Sequence, residues 1–152
     1  LACPPGSFCQ TAGLQTPTGQ CTQGFYCEGG NTVPSPATNI CAIGYYCPTG
    51  SVQQIQCDES NYQSQAQQAI CPACPTNKYC FDTNSPQDCE AGYYCPGNNK
   101  KKACHPGKYG TAAGTSTETA ACSSCLQGRA CETFGITTNS KACKAGYYCT
   151  TG

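Results

Sequence analysis

The chain has 152 residues but no methionine, no tryptophan and one histidine, and charged side chains make up 11% of it with a formal net charge of zero. Leu, Ile and Val are so sparse that an ordinary apolar core is excluded. Neutrality and low charge leave no electrostatic basis for nucleic acid or for an acidic membrane surface as partner. No apolar run is long enough for a signal peptide or a membrane span.

The scarcity of catalytic side chains is equally restrictive. Nucleophilic catalysis needs a base beside the nucleophile, and the single histidine, His105, stands in a loop position next to Cys104. The carboxylates are scattered, and the close pairs, Asp58 with Glu59 and Asp88 with Glu90, flank cysteines instead of facing one another across a cleft, as glycoside hydrolysis requires. There is no acidic loop of the EF-hand kind. The sequence predicts no enzyme, no catalytic residue and no cofactor.

What is present is cysteine, 18 residues in all, the mark of a disulfide scaffold made where thiols oxidise. A closed loop of about 15 residues is worth roughly 3 kcal/mol in the chain-entropy model, so serial loops can replace a missing core. The stretch Cys89-Glu-Ala-Gly-Tyr-Tyr-Cys95 recurs in form at Cys3 to Cys9, Cys21 to Cys27, Cys41 to Cys47, Cys74 to Cys80, Cys125 to Cys131 and Cys143 to Cys149. Two longer loops, Cys57 to Cys71 and Cys104 to Cys122, each end in Cys-x-x-Cys and carry a tyrosine five residues after the opening cysteine, Tyr62 and Tyr109. A six-cysteine repeat of about 50 residues follows. It divides the chain into a partial repeat (1–40), an inserted Cys-x5-Cys motif (41–56) and two repeats (57–103 and 104–152). In this register both ends are cut from a longer array, with a cysteine expected before Leu1 and a linker continuing past Gly152.

The Cys71-x-x-Cys74 and Cys122-x-x-Cys125 spacings suit two thiolates on one zinc ion, but the surrounding Cys-x5-Cys pairs have no zinc-site logic, and no metal is expected. Between cysteines the composition is Thr, Ser, Pro, Gly, Gln and Asn, which predicts turns and loops. Lys100 to Lys102, after Asn98-Asn99, reads as a solvated loop, with a polyanion contact as the alternative. Adjacent aromatics in an extended segment face opposite ways, so one ring packs on its disulfide while the other, at Tyr26, Tyr46, Tyr94 and Tyr148, is a candidate for association with a neighbour. Thr16, Thr18, Ser35, Thr115, Ser116 and Thr117 are either solvated loop residues or mucin-type O-glycosylation sites. An Asn-x-Ser/Thr sequon is absent, leaving only the variant Asn39-Ile40-Cys41.

Cys104-His-Pro-Gly-Lys-Tyr-Gly through Cys122-Ser-Ser-Cys125, with the Gly-Tyr-Tyr-Cys motifs, resembles the ephrin-receptor-like cysteine-rich repeats of large extracellular proteins, many of them from protists, and also the tumour-necrosis-factor-receptor module. The resemblance implies a small disulfide-rich fold: tandem repeats forming an elongated rod, short β-ribbons and loops, little or no helix. By analogy it implies Cys57–Cys71 and Cys104–Cys122, with interlaced pairs Cys3–Cys21, Cys9–Cys27, Cys74–Cys89, Cys80–Cys95, Cys125–Cys143 and Cys131–Cys149, leaving Cys41–Cys47. A rival scheme closes every Cys-x5-Cys on itself. The expected role is a segment of an extracellular structural protein, whose partners are copies of itself or adjacent repeats of the same chain and covalent glycans. The alternative is a receptor or adhesin ectodomain that binds a protein ligand.

Overall fold

The computed structural model describes residues 2–80, 84–139 and 141–150; the expectations attached to Leu1 and Gly152 lie outside them. All 18 cysteines are paired in nine disulfides. Cys57–Cys71, Cys104–Cys122 and Cys41–Cys47 are as expected. The interlaced pairs are not. Cys3 bonds Cys9, Cys21 bonds Cys27, Cys74 bonds Cys80, Cys89 bonds Cys95, Cys125 bonds Cys131 and Cys143 bonds Cys149.

The reason is a turn inside each motif. Counting the opening cysteine as position 1, the N–H of position 5 donates to the carbonyl of position 2 in every copy, as in Phe25 to Thr22 (3.1 Å) and Tyr93 to Glu90 (3.1 Å). Position 4 is the third residue of that turn and has positive φ, +83° at Gly24 and +83° at Gly92, the type II geometry that favours glycine there. Asn77 fills the same place at φ 66°, so the missing glycine of the Cys74–Cys80 motif is replaced by the next most tolerant residue. The turn reverses the chain and sets positions 1 and 7 side by side, with Cα–Cα separations of 5.8 to 6.2 Å, within disulfide reach. Each motif therefore closes on itself.

Leaving the turn, positions 5 and 6 pair antiparallel with the residues just before the next opening cysteine. This gives β1 (Ser7–Phe8) with β2 (Gly19–Gln20), β3 (Tyr45–Tyr46) with β4 (Ile55–Gln56), β5 (Lys78–Tyr79) with β6 (Gln87–Asp88), β7 (Tyr93–Gly97) with β8 (Lys100–Ala103), and β9 (Lys108–Tyr109) with β10 (Ser123–Ser124). Single bridges do the same at Phe25 with Ile40, Asn61 with Ala73, and Arg129 with Ala142. The described helix is one turn, α1 (Glu118–Ala121), capped by the Thr117 hydroxyl, which accepts from the Ala120 N–H. Lys100 to Lys102, read as a loop, lie instead in β8: Asn98 and Asn99, at φ 49° and 55°, make the two-residue turn of a hairpin.

The chain forms two compact units, one of Leu1–Ala73 with Phe81–Ser85, the other of Cys74–Cys80 with Pro86–Gly152. Within each unit the same backbone step joins successive motifs. The N–H of an opening cysteine donates to the position-4 carbonyl of the motif before it: Cys21 to Gly6, Cys41 to Gly24 and Cys57 to Gly44 in the first unit, and Cys89 to Asn77, Cys104 to Gly92, Cys125 to Gly107 and Cys143 to Gly128 in the second, all at 2.8 to 3.1 Å. In return the position-4 N–H donates to the carbonyl of the following motif's last residue, as in Gly6 to Cys27 (2.7 Å), Gly24 to Cys47 (2.8 Å) and Asn77 to Cys95 (2.8 Å). The core is the sulfur itself: Cys21, Cys27, Cys41, Cys47, Cys80, Cys89, Cys95 and Cys104 are fully buried, joined by Phe25 and Ala121.

Candidate association surface

A second set of bonds clasps the motifs that open at Cys3, Cys21, Cys41, Cys89 and Cys104 from outside. In the first unit the carbonyl of Cys3 accepts from Gly30 while the Cys9 N–H donates to Asn31. Gly50 and Ser51 do the same for Cys21 and Cys27, and Gln67 and Gln68 for Cys41 and Cys47. In the second unit Gly114 and Thr115 clasp Cys89 and Cys95, and Gly135 and Ile136 clasp Cys104 and Gly110. For Cys80 the side-chain oxygen of Asn99 substitutes, at 2.7 Å. The first clasp residue has positive φ in each case: Gly30 69°, Gly50 79°, Gln67 65°, Gly114 65° and Gly135 70°. These residues come three or four places after position 7 of the motif that follows the one they clasp, and that offset was a signal in the sequence that counting cysteines alone does not pick up.

The four candidate association tyrosines occupy different surroundings. Tyr26 and Tyr46 are half-buried, and Tyr94 packs on the Cys104, Ala121 and Cys122 cluster. Tyr148 is 90% exposed and its neighbour Tyr147 71%. Of the candidate glycosylation residues, Thr16, Thr18, Ser35 and Thr117 are exposed, and Thr115 and Ser116 are half-buried. Three of these hydroxyls take part in the fold: Thr18 accepts from the Gln10 N–H, Thr115 donates to the Tyr93 carbonyl, and Thr117 caps α1. An open groove of about 820 Å³ in the first unit is lined by Cys3, Gln10, Thr11, Leu14, Thr16 and Asn31 among others, with no titratable side chain in its wall.

Charge is spent on surface pairs. Glu90 accepts from Lys101 at 2.8 Å and from the Tyr79 hydroxyl at 3.2 Å, and the Lys101 ammonium lies over the Tyr79 and Tyr93 rings. The Lys101 hydrogen bond and charge hold the Glu90 carboxyl below the usual range. Glu118 is lowered likewise, first by its hydrogen bond from Lys108 at 2.7 Å and then by the charges of Lys108, His105 and Lys102. Lys78 pairs with Asp88 at 2.7 Å, and Lys141 with Glu132. His105 lies 3.8 Å from Glu118 and tilts against Phe134. These are pairs of opposite charge, each satisfied locally. Cys71 and Cys74 bond outward to Cys57 and Cys80, and Cys122 and Cys125 to Cys104 and Cys131, so both Cys-x-x-Cys pairs are joints between successive loops. Among the described residues no helix is long and apolar enough to cross a membrane.

No family model matches the chain. It is similar to ABC transporter G family member 25 of Oryza sativa subsp. japonica, with 30% identity over 127 residues, a match covering 72% of this chain and 12% of that protein. The chain thus spans 12% of the length of this curated relative. What the fold establishes is a small disulfide-rich chain of short antiparallel ribbons with, among the described residues, one helical turn.

Proposed function

We propose that the chain is a segment of an extracellular structural repeat protein that associates with copies of itself in a filament, coat or flagellar-surface fibre, with O-linked glycans on exposed loop residues such as Thr16 and Ser35. The observation that carries this reading is the step between motifs. It uses main-chain groups, the cysteine N–H and the position-4 peptide, so it places little demand on side chains and can be repeated without limit, as an array whose units contact their neighbours requires. Nine disulfides suit an oxidising compartment.

The likeness to part of a transporter-family protein favours a second reading, in which the same array is an ectodomain that binds a protein ligand. Sedimentation of the oxidised chain over a wide concentration range, with imaging of the native material, separates the two. Growth of assemblies with concentration supports the structural role; a dispersed monomer at high concentration refutes it and favours the ectodomain. Mass spectrometry of the native protein for hexose-bearing Thr and Ser tests the glycans.

A further inference from the structure

The formal neutrality of the chain is a cancellation between its two parts. Residues 1–73 hold three acidic side chains, Glu28, Asp58 and Glu59, and no Lys or Arg, whereas residues 74–152 hold all eight Lys and Arg with five acidic side chains, so the parts carry −3 and +3. In the second part most of the basic groups are consumed where they stand. Lys78, Lys101, Lys108 and Lys141 each pair with a carboxylate of the same part, and the Lys144 ammonium lies over the Tyr147 ring. Lys100 and Lys102 are exposed and have no ion-pair partner among the described residues. Lys102 adds its charge to the field on Glu118, but that carboxylate already takes its hydrogen bond from Lys108.

The strand places this surplus on one face. Lys100, Lys101 and Lys102 are consecutive in β8, where alternate side chains point to opposite sides. Lys101 turns toward Glu90 and the Tyr79 and Tyr93 rings, so Lys100 and Lys102 share the other side, about 7 Å apart along the strand. The first part offers the complement. Asp58 and Glu59 stand at positions 2 and 3 of the turn that opens the Cys57–Cys71 loop, and both are exposed. Asp58 accepts from the Ser60 N–H and the Asn61 amide through Oδ1, at 2.8 and 2.6 Å, which fixes the turn and leaves its charge uncancelled. Glu59 has no partner among the described residues, and residues 1–73 contain no Lys or Arg to neutralise either group. Both features lie inside the chain, away from its first and last motifs.

We propose that the β8 face bearing Lys100 and Lys102 docks the Asp58-Glu59 turn of a second copy of this chain, two cations against two anions. The proposal rests on the self-association reading and names its surfaces. Charge complementarity selects the partner. The chain itself supplies an uncompensated acidic part and an uncompensated basic one, and opposite potentials orient an encounter while like charges oppose the wrong pairing. The contact therefore joins unlike parts of the two copies. The two patches differ, so it is heterologous and propagates unless it closes on itself. Because all four groups are exposed, the contact weakens as salt shortens the screening length.

The test is sedimentation velocity of the full oxidised chain at about 0.05 M and about 0.5 M salt, on either side of the ionic strength that sets the screening length near 10 Å. The variants are Lys100→Glu/Lys102→Glu, Asp58→Asn/Glu59→Lys, the four substitutions combined, and Gln127→Glu as a charge control at an exposed neutral residue. Asn at position 58 keeps the oxygen that fixes the turn, and circular dichroism matching wild type shows that each variant is folded. The wild type is expected to assemble at low salt and to lose at least about tenfold in association constant at high salt. Either charge-reversed variant should lose at least about tenfold at low salt, and Gln127→Glu should be unchanged. Combining the four substitutions should recover at least about threefold, because the two patches then attract with their signs exchanged. Assembly that ignores both salt and the reversals, or a combination that recovers nothing, overturns the docking while leaving self-association standing. A wild type that is monomeric at both salts overturns the self-association reading and the docking with it. If the monomer instead binds heparin-agarose through Lys100 and Lys102 without assembling, the face is a polyanion site and the proposal fails.

Discussion

The two long loops, Cys57–Cys71 and Cys104–Cys122, begin with the same hydrogen bond from position 5 to position 2 as the seven tight ones, with positive φ at position 4 in the second (Gly107) but not in the first (Ser60), and neither has cysteine at position 7. In the second of them that place is Gly110, whose N–H is clasped by Ile136 as a cysteine N–H would be; a Cβ there would lie 2.6 Å from the Ala121 carbonyl oxygen and 3.0 Å from Gly92. Helix α1 fills that space and returns Cys122 to Cys104. In the first long loop the place is Gln63, buried, whose amide nitrogen donates to the Ile70 carbonyl at 2.8 Å and whose oxygen accepts from the Gln65 N–H at 3.0 Å. Gly44 donates to the Gln63 carbonyl as Gly24 donates to that of Cys47. The backbone pattern therefore persists where the disulfide has moved. Hydrogen bonds define the repeat, and the disulfide is a staple whose second foot can be relocated.

Reduction is the widest test of that statement, because the staples act on all motifs at once. With so little apolar area to bury, the hydrogen-bonded frame cannot offset a backbone entropy of about 1 to 2 kcal/mol per residue, and full reduction is expected to unfold the chain. Removing one staple grades the comparison. Cys104→Ala/Cys122→Ala should cost about 3 kcal/mol and Cys143→Ala/Cys149→Ala about 2, following loop length in the chain-entropy model. Denaturant midpoints of the oxidised variants measure it; a tight loop that costs more than the long one would show that strain or packing, not chain entropy, sets the order.

The position-4 glycines provide a sharper contrast between a motif packed under a clasp residue and one that is not. Gly24 has φ +83° and a Cβ there would sit 2.5 Å from the Gln67 carbonyl oxygen, whereas Gly146 has φ +87° and open space. Gly146→Ala should lose about 1 kcal/mol, the conformational strain alone. Gly24→Ala should lose about 3 kcal/mol, because the clasp must also move and release its hydrogen bonds to Cys41 and Cys47. Equal losses in thermal melts would mean that the clasp contributes nothing.

Gln63 has a smaller effect, and it asks what replaces a staple. Truncation to Ala removes two part-buried hydrogen bonds, to the Ile70 carbonyl and from the Gln65 N–H, a loss of about 1 kcal/mol because water can replace the partner at both exposed residues. Gln63→Glu should recover the bond from Gln65 but not the one to Ile70, so its denaturant midpoint should fall between wild type and Gln63→Ala.

How much of this was legible in the sequence depends on which interaction carried it. The repeat, the absence of a core and the shortness of any strand follow from cysteine spacing, sparse aliphatic residues and the tyrosines Tyr62 and Tyr109 in register, whereas the two long staples came by analogy with the resembling modules. The pairing of the tight loops was misassigned by analogy, although the glycine-centred turn that closes them was already visible; a turn of that kind brings positions 1 and 7 together before any partner in another loop can compete. The clasps were missed because they need one residue of positive φ per linker and no particular side chain, and Gln67 shows that even glycine is optional. The hairpin at Lys100 to Lys102 was signalled by Asn98-Asn99, a turn pair whose meaning was masked by the charge run beside it. The glycosylation residues and the association tyrosines are surface properties that spacing cannot rank.

The smallest effect separates the two long loops from each other. Each supplies the clasp for the motif before it, through Gln67 in one and Gly114 in the other, and both residues have φ 65°. A side chain in that conformation costs about 1 to 2 kcal/mol, and glycine in its place adds back about 0.5 to 1 kcal/mol of unfolded-state entropy. Gln67→Gly should therefore stabilise the chain by about 0.5 to 1 kcal/mol. The reciprocal Gly114→Gln should destabilise by a similar amount, since the one atom near its Cβ position is an Asp88 oxygen at 3.9 Å and sterics do not intervene. Paired denaturation curves of the two variants measure the difference. If both substitutions destabilise, the Gln67 side chain has a packing role against Gly24 that outweighs its strain, and the two loops hold their neighbours by different means.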